Sequence, residues 1–158
     1  MASYLITPGS KPEGEIKISG SKNAALPIIA ASLLSDEKTT LHNIPQLTDI
    51  RNMCALIAAS GAKYSFEASN TLTIEPQSSS LKSNNLDSAT KLRASFLIIG
   101  PLLAKRGKIK IPMPGGCAIG ARPIDLHLKG FKAMGAKIKQ GHGYVELKCD
   151  RLNSAKIY

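Results

Sequence analysis

KNAALPIIAASLLSDEKTTLHNIP, from Lys22 to Pro45, and KLRASFLIIGPLLAKRGKIKIPMP, from Lys91 to Pro114, are two copies of one pattern. The paired leucines Leu33-Leu34 and Leu102-Leu103, and the prolines Pro45 and Pro114, share a single offset. Internal symmetry of this kind decides architecture before any isolated motif does. In each copy an apolar run, Ala24 to Leu34 and Ala94 to Ala104, is hydrophobic on nearly every side and reads as a buried helix. A short alternating strand follows, Thr39 to Leu41 in one copy and Lys108 to Ile111 in the other.

Further along, a more amphipathic helix is expected from about Ile50 to Ala59, and its counterpart from about Ile124 to Ala133. Gly61 and Gly135 stand where a left-handed residue closes a helix. Hairpins come next: Lys63 to Phe66 with Leu72 to Glu75 around Ser69-Asn70, and Lys137 to Gln140 with Tyr144 to Lys148 around Gly141 to Gly143. SGAK at Ser60 to Lys63 answers MGAK at Met134 to Lys137 at a larger offset, so the second copy has gained a loop between Pro114 and Asp125. Gln77 to Asn85, QSSSLKSNN, reads as the linker between copies. Tyr4 to Ile6 and Glu15 to Ser19 are expected to pair as leading strands.

The expected organisation is therefore an α/β (α+β) chain: leading strands over 1–21, one repeat over 22–85, and a second over 86–158 that carries a cysteine-bearing loop at 112–123. Two copies of so apolar a helix leave one flank open, which reads as a truncated array or as a compact two-unit domain.

Composition narrows the function class. A chain of 158 residues with 43% hydrophobic and 4% aromatic residues builds one core from Ile, Leu, Val and Ala. Twenty-one Lys and Arg against eleven Asp and Glu give a net charge of +10, which favours anionic partners. The lysines of the second half lack the interleaved aromatics that stack bases, so nucleic acid is not the expected partner. No apolar run approaches a membrane span and no leader pattern precedes residue 10, so a cytoplasmic location is expected. Cys54, Cys117 and Cys149 are odd in number and lack metal-ligand spacing, which argues for free thiols and against a zinc site.

Three places combine reactive side chains with backbone that a ligand can approach. Ser19-Gly20-Ser21-Lys22-Asn23 joins a strand to a helix start, where unpaired N–H groups and Lys22 form a candidate anion pocket; ordinary capping by Ser21 or Asn23 is the alternative. Arg93 opens the matching helix of the second copy and either snorkels or presents its fork to a phosphate or carboxylate. The inserted loop, Pro114-Gly115-Gly116-Cys117-Ala118-Ile119-Gly120-Ala121-Arg122-Pro123, sets a thiol beside a fixed positive charge among three glycines. That setting favours thiolate and makes Cys117 a candidate nucleophile or proton donor. Cys54 reads as a packing residue on a helix face and Cys149 as a strand residue.

SGSKNAALPI at Ser19 to Ile28, LRASFLIIGPLLA at Leu92 to Ala104 and PGGCAIGARPIDLHLKG at Pro114 to Gly130 resemble the UDP-N-acetylglucosamine 1-carboxyvinyltransferases, a family of enolpyruvyl transferases. The resemblance implies an inside-out α/β barrel of βαβαββ units, two of which this chain supplies. It also implies transfer of enolpyruvyl from phosphoenolpyruvate to the 3′-hydroxyl of UDP-N-acetylglucosamine, with release of phosphate, as the first committed step of peptidoglycan synthesis. By position in the matching motifs, Lys22 and Asn23 resemble the phosphoenolpyruvate-binding pair. Arg93, Arg122, Pro123, Ile124, Asp125 and Leu126 resemble the residues that contact the UDP-sugar. Cys117 resembles the catalytic loop cysteine that donates a proton and is the target of fosfomycin. No cofactor and no metal is implied. The family's carboxylate base and further arginines come from another domain, so a missing C-terminal portion is the expected partner. The alternatives are a noncatalytic anion- or UDP-sugar-binding module of the same fold, and a relative of 5-enolpyruvylshikimate-3-phosphate synthase.

Overall fold

The structure is a computed structural model that describes residues 13–67, 70–76, 93–113 and 124–157, with the isolated positions 3, 5, 9 and 11. Its first half runs α1 (Lys22–Ala31), a 3₁₀ turn (Ser32–Leu34), β1 (Thr39–Leu41), α2 (Thr48–Ala59), β2 (Lys63–Glu67) and β3 (Thr71–Glu75). The second half runs a 3₁₀ segment (Arg93–Ile98), α3 (Ile99–Arg106), β4 (Lys108–Pro112), α4 (Asp125–Ala133), β5 (Lys137–Gly141) and β6 (Tyr144–Lys148).

Each half folds its strands into an antiparallel sheet with the last strand in the centre, β1-β3-β2 and β4-β6-β5. In the first sheet the central residue Thr73 lies between Thr40 and Ser65, and in the second Leu147 lies between Ile109 and Ile138. Gly61 and Gly135 follow α2 and α4 with φ of 104° and 96°, a region where a side chain is strained and glycine is not. The two hairpins turn through Asn70 and Gly143, both at positive φ.

One core joins the halves. Ala25, Leu26, Ile29, Ala30 and Leu33 from the first apolar run meet Ile98, Ile99, Leu102 and Leu103 from the second. On α2 the buried side chains Ile50, Met53, Cys54 and Ile57 recur at helical spacing and form the face turned inward. Leu72 and Ile74 of β3, with Val145 and Leu147 of β6, close the core from the sheets and are fully buried. Burying each such side chain stabilises the fold by about 1.5–3 kcal/mol.

Four expectations change. Helix α1 is buried on one face only: Ala24, Pro27, Ile28 and Ala31 are exposed, because nothing among the described residues packs on that side. An all-apolar sequence cannot tell which face will find a neighbour. In the second half the helix is half 3₁₀ and becomes regular only at Ile99, with Gly100-Pro101 in its first turn, where a missing N–H costs little. Glu15 to Ser19 forms no strand; Ile16 and Ile18 are 85% and 77% exposed and find no ladder partner among the described residues. Tyr4 and Ile6, the other half of that expected pair, and the linker 77–85 lie outside the described residues. Finally, Cys149 sits just past β6 rather than within it, its N–H donating to the carbonyl of Gly107 at 2.8 Å.

Candidate active site

The start of α1 is held against the loop that leads into α2. At Gly20 the chain passes so close to Asn43 that a Cβ there would overlap the Asn43 carbonyl oxygen. Asn43 itself takes a φ of 56°, and the next residue, Ile44, donates to the carbonyl of Asn70 at 2.8 Å. This contact sets the N-termini of α1 and α2 side by side. Ser21 caps α1 by accepting from the N–H of Ala24 at 3.4 Å, so the capping alternative is realised and leaves Lys22 free for another role.

Lys22 is the first residue of α1, and its Nζ donates to Oδ2 of Asp49 at 2.8 Å. Asp49 lies in the first turn of α2, where the helix dipole favours an anion. For Lys22 the dipole works the other way, since the positive end of α1 disfavours an ammonium. Both side chains are about two-fifths exposed, at 42% and 41%, so the pair contributes at most about 1 kcal/mol to stability. Asn23 is exposed beside it.

The other sequence-predicted residues are distributed as follows. Arg93 begins the 3₁₀ segment that packs along α1. Ile124 is the half-buried residue preceding α4, Asp125 lies exposed in its first turn, and Leu126 is 73% exposed. The ring of His127 lies 5.8 Å from that of Phe96, which ties the start of α4 to the same 3₁₀ segment. The chain thus connects the Lys22 helix, the Arg93 segment and the Ile124–Leu126 segment through direct packing. Cys117, Arg122, Pro123 and the side chain of Arg93 lie outside the described residues. Asp125 also borders an open cleft between α4 and β5, lined by Lys129, Lys132 and Lys137.

The remaining thiols suit packing. Cys54 is fully buried on α2, and burial pushes its pKa up to about 12. Cys149 is raised by burial and then by the charge of Asp150. Neither is poised as a nucleophile. Among the described residues no group of three His, Cys, Asp or Glu is placed to hold a metal ion, and no helix is long and apolar enough to cross a membrane.

Sequence reasoning missed Asp49. The one local signal for it was an acid two residues after Leu47 at the start of a helix, which is ordinary for any helix N-terminus. Its relation to Lys22, 27 residues earlier, is a tertiary fact.

The sequence model of the family described as EPSP synthase (3-phosphoshikimate 1-carboxyvinyltransferase) matches residues 6–158. The chain belongs to this family. Within it, the UDP-N-acetylglucosamine 1-carboxyvinyltransferase of Halothermothrix orenii is 49% identical over 158 residues, covering 100% of this chain and 38% of that protein. A second such enzyme, from Carboxydothermus hydrogenoformans, is 47% identical with the same coverage. This member of the family therefore spans about 38% of the length of those relatives. In fold it is similar to the enolpyruvyl transferase NikO from Streptomyces tendae, with a TM-score of 0.74, 18% identity, and coverage of 92% of this chain and 32% of that one. It is also similar to an EPSP synthase from Acinetobacter baumannii, with a TM-score of 0.61, 19% identity, and coverage of 85% and 32%.

Proposed function

We propose that this chain forms part of an enzyme that transfers enolpyruvyl from phosphoenolpyruvate to the 3′-hydroxyl of UDP-N-acetylglucosamine and releases phosphate. The observation that carries this reading is the unbroken similarity, at 49% and 47% identity over the full 158 residues, to relatives bearing that name. Both substrates are anionic, which suits a net charge of +10. The product would feed peptidoglycan synthesis in the cytoplasm.

In this reading 22–85 and 86–158 are two βαβαββ units of an inside-out barrel, with 1–21 as leading strands and 112–123 as the loop that carries Cys117. Lys22 and Asn23 bind phosphoenolpyruvate at the start of α1. Arg93, Arg122, Pro123, Ile124, Asp125 and Leu126 hold the UDP-sugar. Cys117 protonates the methylene carbon, which makes the adjacent carbon electrophilic; the sugar hydroxyl adds there, and loss of phosphate together with a proton from the new methyl group restores the enol ether. Positive side chains stabilise the tetrahedral phosphate-bearing intermediate, and closure of the glycine-rich loop excludes water. The base that accepts the hydroxyl proton belongs to a C-terminal portion that completes the length of the relatives.

The test is phosphate release by the chain completed with the remaining length of the Halothermothrix orenii relative. Release that requires UDP-N-acetylglucosamine, and that stops when fosfomycin alkylates Cys117, is the expected result. Labelling of Cys54 or Cys149 with Cys117 untouched would count against it. A second reading comes from the family description itself, which names 3-phosphoshikimate: release driven by shikimate 3-phosphate instead of the UDP-sugar would replace the proposed acceptor. Substrate binding without any release would leave a noncatalytic module.

A further inference from the structure

We infer that Asp49 is a positioning residue for Lys22, holding its ammonium over the junction of the α1 and α2 N-termini in the orientation the reaction uses. The inference rests on the reading of Lys22 as a phosphoenolpyruvate-binding residue and extends it to a side chain on another element.

Three observations carry it. The ammonium and carboxylate are in direct contact at 2.8 Å, although the two residues belong to different helices. Lys22 occupies the end of α1 where the backbone already concentrates positive potential, so an unopposed ammonium there is disfavoured. Asp49 offsets that potential and is itself favoured at the start of α2. The junction is also fixed by backbone rather than by side chains alone: the approach of Gly20 to Asn43 leaves no room for a Cβ, and Ile44 is tied to Asn70. A lysine has four side-chain torsions and no intrinsic direction. Without a partner its ammonium samples many positions, and the work of aligning it with a transferring phosphate falls on the reaction step.

The charge of Asp49 has an opposite effect on simple binding. A carboxylate beside an anion pocket weakens the attraction for phosphoenolpyruvate, so removing it does not weaken ground-state binding. Orientation and affinity therefore separate in the kinetics. Asp49→Asn is expected to lower kcat on the order of 10²-fold while KM for phosphoenolpyruvate stays unchanged or falls. Asp49→Glu, which keeps the charge, is expected to recover part of the loss.

The experiment is a double-mutant cycle in the completed polypeptide described above, with Lys22→Met, Asp49→Asn and the pair, each also followed by thermal melting. If Asp49 acts through Lys22, the double variant is no slower than Lys22→Met alone. Additive losses, a kcat for Asp49→Asn within about twofold of the parent, or a loss that follows melting temperature with no recovery in Asp49→Glu would overturn the inference. A Lys22→Met variant with full kcat, or a parent with no turnover, would instead sink the underlying reading of the site and this inference with it. Loss in Lys22→Met with normal turnover in Asp49→Asn would remove the role of Asp49 alone.

Discussion

Cys54 shows how far burial alone can redefine a side chain. It stands among Ile50, Met53 and Ile57 on the inward face of α2, and burial pushes its pKa up to about 12. A thiol whose folded pKa lies above its ordinary 9.0 keeps its full contribution to stability below pH 9.0 and loses it as the pH rises from there towards 12. Thermal melts across that window should therefore fall more steeply for the parent chain than for Cys54→Ala. Parallel slopes would show that the thiol titrates alike in the folded and unfolded chain, so that burial does not raise its pKa. The same burial makes Cys54 slow to alkylate.

At the scale of elements, α1 carries two adjacent isoleucines with opposite fates. Ile29 is fully buried against the second half, whereas Ile28 is 48% exposed. Ile29→Ala is expected to cost about 2–5 kcal/mol and Ile28→Ala less than about 1 kcal/mol in the chain as it stands, measurable by urea unfolding. Equal costs would mean that the helix is turned differently about its axis. The junction before α1 is equally specific. Gly20→Ala forces a methyl group into the Asn43 carbonyl, so one of the two segments must shift, at a cost of about 1–3 kcal/mol read as a lower melting temperature. Because that junction also aligns Lys22 with Asp49, loss of the pair should accompany the loss of stability.

In the whole molecule the halves are joined by more than apolar contact. Lys105 of α3 donates to Asp36 beyond the first 3₁₀ turn at 2.6 Å, and Arg106 donates from Nη2 to the carbonyl of Ser60 at the end of α2. Burial lowers the pKa of Arg106, and its Nε has no hydrogen-bond partner among the described residues, so this guanidinium depends on the Ser60 carbonyl. Arg106→Ala is expected to cost about 1–3 kcal/mol and to lower one cooperative transition, not to split it in two. Separate melting of the halves by circular dichroism would show that the shared core does not couple them. The exposed Ile16, Ile18, Ile28 and Leu34 give the molecule apolar surface that its own described residues do not cover. That surface fits a chain spanning about 38% of the length of its relatives.

The matching element order of the two halves was legible because its signals are local. Hydrophobic period, the prolines Pro45 and Pro114, and the glycines Gly61 and Gly135 each act within a few residues, so like sequences give like elements and the same sheet order twice. Lys22 and Asn23 were legible as candidates for the same reason, since a glycine turn before an apolar helix marks its N-terminus. Three features needed the assembled chain. The helical run before Ile99 tightened into a 3₁₀ segment where it packs on α1, the apolar residues of α1 divided into a buried and an exposed face, and Asp49 came to meet Lys22. Sequence by itself determined the elements and their repetition, because those follow from interactions between near neighbours. Tertiary structure decided which faces are covered and which charges meet, because both depend on segments the chain brings together only on folding.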